Sequence, residues 1–139
     1  MIVLDTNVLS EGLRPAPDRA VRQWLAEQEP LDVYITTITQ AEVFYGIESL
    51  PVGKRRSKLA TAFENIFSEE FFGRILPFDE EAAREYARIV VGRERLGRPI
   101  SQPDAMIAAI ARSRNATVAT RDSKGFEHCG VRLINPWDE

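Results

Sequence analysis

Short runs of β-branched and apolar residues at positions 2–4, 33–36, 117–120 and 131–134, with a briefer one at 74–78, are interleaved with long stretches of helical spacing. This alternation constrains the fold more than any other feature of the chain, because strands that alternate with helices return through right-handed crossovers to build a mainly parallel sheet covered on both faces. An α/β fold is therefore expected, in one domain spanning residues 1–139, since no repeat, low-complexity tract or Gly/Ser-rich linker divides the chain.

The individual elements follow from local chemistry. Ile2, Val3 and Leu4 form a buried strand that runs out into a turn at Asp5-Thr6-Asn7. Asp18 caps a helix carrying Val21, Trp24 and Leu25 to about Gln28. The run at 33–36 is the second strand, followed by a helix through Ala41, Phe44, Tyr45, Ile47 and Leu50 with Glu42 in its first turns. A second long helix is expected over 54–71, its apolar stripe formed by Leu59, Phe63, Ile66 and Phe67. Pro77 confines the run at 74–78 to a sheet edge, and Asp79 caps a helix from Glu80 to a stop near Gly97. Residues 104–111 are apolar on nearly every side, the mark of a helix buried among other elements.

Composition excludes several classes. The 139 residues hold 44% apolar and 28% charged side chains, the balance of a globular protein. One cysteine and one histidine cannot make an intramolecular disulfide or a Cys/His zinc site, so a reducing, cytoplasmic setting is expected. The start of the chain has neither the basic residues nor the apolar length of a signal peptide, and no stretch is long enough to span a membrane. A net charge of −3 argues against nucleic-acid binding through a basic surface, but leaves room for an enzyme that meets phosphate through a metal.

Four acids carry the functional argument. In an open parallel sheet, function collects at the carboxyl ends of the strands. Asp5 follows the first strand, Glu42 begins the helix after the second, and Asp122 follows the strand at 117–120. Asp104 opens the buried helix, and reaches the same edge if that helix runs antiparallel to the strand it feeds. Each has a plainer explanation: a turn at Asp5 or Asp122, and capping-box spacing from Thr39 to Glu42 and from Ser101 to Asp104. Their joint placement outweighs these, because four like charges in one crevice raise one another's pKa unless a cation neutralises them. Oxygen-only ligands point to a hard cation, magnesium or manganese in its place, and to phosphodiester hydrolysis by a metal-activated water. Thr6, Asn7 and Thr120 stand beside the acids and are expected to orient ligands or water, with capping and turn hydrogen bonds as the alternative.

Five stretches in order carry a family likeness. They are Leu4-Asp5-Thr6-Asn7-Val8-Leu9-Ser10; residues 36–42 ending at Glu42, with Tyr45-Gly46-Ile47 behind; Pro103-Asp104-Ala105 with Ile107-Ala108-Ala109; Ala119-Thr120-Arg121-Asp122; and Asn135-Pro136-Trp137. Together they resemble the PIN domain proteins, and more narrowly the VapC and FitB type toxins of bacterial toxin–antitoxin pairs. The resemblance implies a three-layer α/β/α sandwich and a metal-dependent endoribonuclease acting on single-stranded regions of RNA. It also implies a cognate antitoxin encoded beside it, a homodimer, and contact with operator DNA only through the antitoxin. It carries Asp5, Glu42, Asp104 and Asp122 over as an acidic quartet, with Thr120 as the neighbouring hydroxyl.

Rival readings are weaker. Asp5-x-Asn7 resembles the aspartyl-phosphate phosphatases, but Asn7 replaces their second aspartate and removes the proton donor. No Gly-rich dinucleotide turn or phosphate loop is present. A catalytically silent PIN fold that binds RNA or a partner is the main alternative to an enzyme. His128 is expected on a surface loop, and Lys54, Arg55, Arg56 and Lys58 on a solvated face. Phe44, Tyr45, Phe63, Phe67, Phe71 and Phe72 exceed what one small sheet face needs, so part of this set is expected to line a groove for a partner helix.

Overall fold

The computed structural model describes all of residues 1–139. In chain order it comprises β1 (Ile2–Leu4), α1 (Thr6–Gly12), α2 (Arg19–Glu27), β2 (Val33–Thr36), α3 (Thr37–Glu48), α4 (Lys54–Asn65), β3 (Ile75–Leu76), α5 (Glu80–Arg95), α6 (Gln102–Ser113), β4 (Thr117–Ala119) and β5 (Arg132–Ile134). The strands lie in the order β3-β2-β1-β4-β5 and every pair is parallel. Central β1 is in register with both neighbours, Ile2 opposite Val33 on one side and Thr117 on the other. All carboxyl ends therefore emerge along one edge.

The period-two alternation of the strands divides the core into two halves. Val3 and Val118 point to one face, where they pack with Ile89 of α5 and Ile107 and Ile110 of α6. Leu4, Ile35 and Ala119 point to the other, against Val8, Leu9, Trp24 and Val43 from the first three helices and Phe67 just past the fourth. The result is the three-layer α/β/α sandwich that the resemblance implies. Helix α6 buries Ala105, Ile107, Ala108, Ala109, Ile110 and Ala111, which makes it the most enclosed helix, as its uniformly apolar sequence predicts. Truncating Ile107 or Ile110 to alanine there costs about 2–5 kcal/mol.

Three local expectations need correction. Asp5-Thr6-Asn7 is not a turn: Asp5 is the N-cap of α1, and its side chain accepts from the Thr6 N–H. The same residue types serve turns and caps, and here Val8 and Leu9 behind them bury against the sheet and draw the chain into a helix. The helix at 54–71 is regular only to Asn65, then widens into a π-helical turn, Ile66–Glu70, which swings Phe67 and Phe71 into the core. The run at 74–78 pairs only at Ile75 and Leu76, at the sheet edge, because Pro77 has no N–H for the ladder.

Candidate active site

Asp5 is the hub of the site. It leaves β1 in an extended conformation, and its carboxylate is almost wholly buried, 6% exposed. Three donors converge on it: the Thr6 backbone N–H on Oδ1 at 2.8 Å, the Thr120 hydroxyl on Oδ2 at 2.8 Å and the Asn7 amide on Oδ2 at 3.2 Å. Burial nevertheless wins, raising the carboxyl from its ordinary 3.8 to about 6. The bonds from Thr120 and Thr6 pull it down, while the charges of Asp104 and Glu42 push it further up.

Glu42 is held by Thr6. The Thr6 hydroxyl donates to Glu42 Oε1 at 2.7 Å. Because a hydroxyl has one proton, the 3.0 Å contact between the Thr6 and Thr39 hydroxyls has Thr39 as donor. The capping-box explanation of Glu42 fails: α3 is capped by Thr36, whose Oγ1 accepts from the Thr39 N–H at 3.2 Å, so Glu42 lies beyond the capping turn. It is exposed and belongs to α3 for a reason other than capping. Thr6 thus joins two acids, binding Asp5 through its backbone and Glu42 through its side chain.

Asp104 sits in the first turn of α6, which Ser101 caps by accepting from the Asp104 N–H at 3.4 Å, as the spacing predicts. Burial raises its carboxyl above the ordinary value; Ser101 opposes this, Asp122 adds to it and Arg93 opposes it. Asp104 pushes up the carboxyl of Asp5 and Asp122 that of Asp104, so the start of α6 lies at the carboxyl edge, as an α6 antiparallel to β4 requires. Asp122, exposed, lies just past β4. Its backbone N–H donates to Thr120 Oγ1 at 3.0 Å, so the Thr120 hydroxyl links Asp122 to Asp5. Asn7 makes a parallel link, donating to Asp5 and accepting from the Arg121 N–H at 3.3 Å.

The four acids therefore gather at one end of the sheet, but they are not packed together. No three acidic, histidine or cysteine side chains stand close enough to form a closed metal cage. Magnesium does not need one, since it keeps several waters and takes one or two carboxylates. The donor set suits such a cation: the groups are all oxygens, and Asp5 is fixed by three hydrogen bonds, with Asp104 and Glu42 adding negative charge beside it.

Two residues at the site escape a reading of motifs. Arg93, 5% exposed, donates to the carbonyls of Arg98, Gly125 and Glu127. Gly125 donates its N–H to Asp122 Oδ1 at 3.0 Å. In sequence Arg93 is one of several arginines on a helix, with no spacing that singles it out. His128 is exposed with φ of 62°, in the loop where it is expected. Lys54, Arg55 and Lys58 are exposed, and Arg56 pairs with Glu48.

The aromatic surplus divides. Phe67 and Phe71 enter the core, whereas Phe44, Tyr45 and Phe72 are 43%, 76% and 80% exposed. An open groove between α3 and α4 is lined by Val43, Ile47, Leu59 and Phe63, with Thr6 and Glu42 also on its wall.

Comparison with known proteins matches this geometry. Residues 2–131 match the PIN domain family. The chain is 42% identical over 138 residues to VapC ribonuclease Y4jK of Sinorhizobium fredii, covering 99% of each chain. It is 43% identical over 139 residues to toxin FitB of Neisseria gonorrhoeae, covering 100% of each. The solved structure of FitAcB from Neisseria gonorrhoeae superposes with a TM-score of 0.93 at 43% identity, over 100% of both chains. A parallel five-stranded sandwich with acids gathered at the carboxyl edge, similar over its whole length to a VapC ribonuclease and a FitB toxin, belongs to the PIN domain family.

Proposed function

We propose that this chain is a magnesium-dependent endoribonuclease that hydrolyses phosphodiester bonds in single-stranded regions of RNA and serves as the toxin of a toxin–antitoxin pair. The observation that carries the reading is the buried Asp5 carboxylate, fixed by Thr120, Thr6 and Asn7 while Asp104 and Glu42 crowd it with like charge. A buried anion so placed is costly unless a cation meets it. Similarity to a VapC ribonuclease supports the nuclease, and similarity to a FitB toxin supports the biological role.

Asp5 and Asp104 would hold magnesium, or manganese in its place, with Glu42 and Asp122 at its margins. When bound, the cation supplies Lewis acidity toward the phosphate and lowers the pKa of a coordinated water. The residues of the chain perform the rest. Thr120 and Asn7 keep Asp5 Oδ2 in one orientation, and Thr6 keeps Glu42 directed toward Asp5. Glu42, exposed and held by Thr6 beside the other acids, is placed to orient a water or accept its proton.

For partners, the groove between α3 and α4 and the exposed Phe44 and Tyr45 support capture of an antitoxin segment. Glu42 is among the residues that line the groove, so a segment carrying an arginine would pair with carboxylate and displace the cation. Operator DNA would be met through the antitoxin, and the chain would act as a homodimer. No helix is long and apolar enough to cross a membrane, and a cytoplasmic setting fits an RNA substrate.

The test is cleavage of a structured RNA with single-stranded loops, in magnesium and in chelator. Cleavage confined to loops, dependent on metal and lost in Asp5→Asn and Asp104→Asn, supports the reading. Metal-independent cleavage refutes it, and binding of RNA with no cleavage under any metal favours the catalytically silent PIN module.

A further inference from the structure

Gly125 lies against the carboxylate of Asp122. Its N–H donates to Asp122 Oδ1 at 3.0 Å and also meets the Asp122 carbonyl at 3.1 Å. A Cβ built on Gly125 would fall 2.4 Å from Asp122 Oδ2 and 2.8 Å from its Cγ, far inside contact distance. The backbone does not ask for glycine, since Gly125 has no positive φ and sits in a short 3-10 turn, Lys124–Phe126. The three nearest atoms that a Cβ would meet all belong to the Asp122 side chain.

The other side of the same residue is anchored. The Gly125 carbonyl accepts from Arg93 Nη1 at 2.8 Å, and the same nitrogen reaches the Glu127 carbonyl at 2.9 Å while Nε reaches the Arg98 carbonyl at 2.7 Å. Arg93 is buried and directs its guanidinium to three backbone carbonyls and the Cys129 sulfur, with no carboxylate in an ion pair with it. A rigid guanidinium fork bonded to three carbonyls fixes the loop that follows Asp122.

We propose that Gly125 is a positioning residue for Asp122, pressed against its carboxylate by Arg93, and that this clamp sets where Asp122 meets the cation. The inference rests on the metal-dependent reading above. Partners of this kind, one step removed from the metal, change affinity on the order of 10- to 100-fold. Because the clash falls on the free end of a side chain, Gly125→Ala rotates the carboxylate away without disturbing the fold.

The experiment is titration of purified protein with Mn2+ by calorimetry, with melting curves in parallel. Gly125→Ala is expected to melt close to the parent in chelator and to bind Mn2+ on the order of tenfold more weakly. Asp122→Ala also weakens binding. Adding Gly125→Ala to Asp122→Ala weakens it no further, because the carboxylate that the methyl displaces is gone. Arg93→Lys, which keeps the charge and loses the fork, weakens Mn2+ in the parent and not in Asp122→Ala. A further tenfold loss from Gly125→Ala or Arg93→Lys in the Asp122→Ala background overturns the clamp. So does parent-like Mn2+ binding by Gly125→Ala, which leaves the metal site itself standing. A parent that binds no Mn2+ overturns the metal reading, and the clamp falls with it.

Discussion

The hydroxyl of Thr120 donates a 2.8 Å hydrogen bond to Oδ2 of Asp5, joining residues 115 positions apart in the chain. Both are buried, and the same hydroxyl accepts from the Asp122 N–H, so one side chain serves two acids. Thr120→Val keeps the shape and removes both bonds. It leaves a buried carboxylate short of a donor, which costs about 1–3 kcal/mol. The Asp5 carboxyl then rises beyond about 6, since Thr120 is the strongest influence holding it down. Thr120→Ser retains the hydroxyl and restores most of the loss. Denaturant unfolding of the three proteins checks the ranking, and equal stability of the valine and serine variants would contradict it.

The raised Asp5 carboxyl predicts a pH dependence with a definite sign. Between 3.8, its ordinary value, and about 6, the folded protein holds a proton that the unfolded chain releases. Its contribution to stability is full below 3.8 and is lost as pH rises through about 6. A shift near two units corresponds to about 3 kcal/mol at most. Metal-free protein should therefore lose stability from pH 4 to pH 6.5 on account of Asp5. Asp5→Asn should flatten this slope. At pH 7 the variant gains by losing the charge and loses part of its hydrogen bonding, because an amide has one acceptor oxygen for three donors. A net gain of about 1 kcal/mol is expected. Melting curves across pH in chelator measure both, and an unchanged slope in Asp5→Asn would remove Asp5 as the source.

Much of this was legible in the chain. The alternation of apolar runs implied a parallel sheet with helices on both faces, and the placement of acids after strands implied a shared edge. What the chain did not disclose was which of several equivalent groups acts. Thr36, Thr37 and Thr39 all qualify as caps, and only the extended backbone at Thr36, the last residue of β2, selects it. Asp5-Thr6-Asn7 suits a turn as well as a cap, and the burial of Val8 and Leu9 decides it. Gly125 and Arg93 were invisible because their relation to Asp122 is a contact between α5, a loop and a strand end, with no local spacing to mark it. That no three of the acids form a closed cage is likewise a matter of distances in the fold, which a list of residues does not give.

Thr6→Val tests the link between Glu42 and Asp5. The hydroxyl it removes binds an exposed carboxylate and also accepts from the buried Thr39 hydroxyl, so stability should fall by about 1–3 kcal/mol. RNA cleavage by the folded variant should fall as well, because Glu42 loses the contact that directs it toward Asp5. Glu42→Gln, which keeps the hydrogen bond and removes the charge, separates aim from charge. If Thr6→Val cleaves at the parent rate while Glu42→Gln does not, the charge of Glu42 matters and its attachment to Thr6 does not.

The last prediction concerns what a cation does to the fold. In chelator, the carboxyl groups of Asp5, Glu42, Asp104 and Asp122 stand at one end of the sheet with no cation between them, and the carboxyl of Asp104 is raised by burial and by Asp122. Ligand that binds only the folded state stabilises it by mass action, about 2.7 kcal/mol at a hundred times its dissociation constant. For a chain of this size that corresponds to a rise of several degrees in Tm, on the order of 3–6 °C per kcal/mol. Asp104→Asn should act in two opposed ways. It relieves repulsion, so the Tm in chelator rises or holds. It removes one of the carboxylates best placed for the cation, so the rise on adding magnesium shrinks. The two curves of the variant should thus lie closer together than those of the parent, from both sides. Superimposable curves for the parent in chelator and in millimolar magnesium would mean that no cation site forms at this edge, whatever the acids do there.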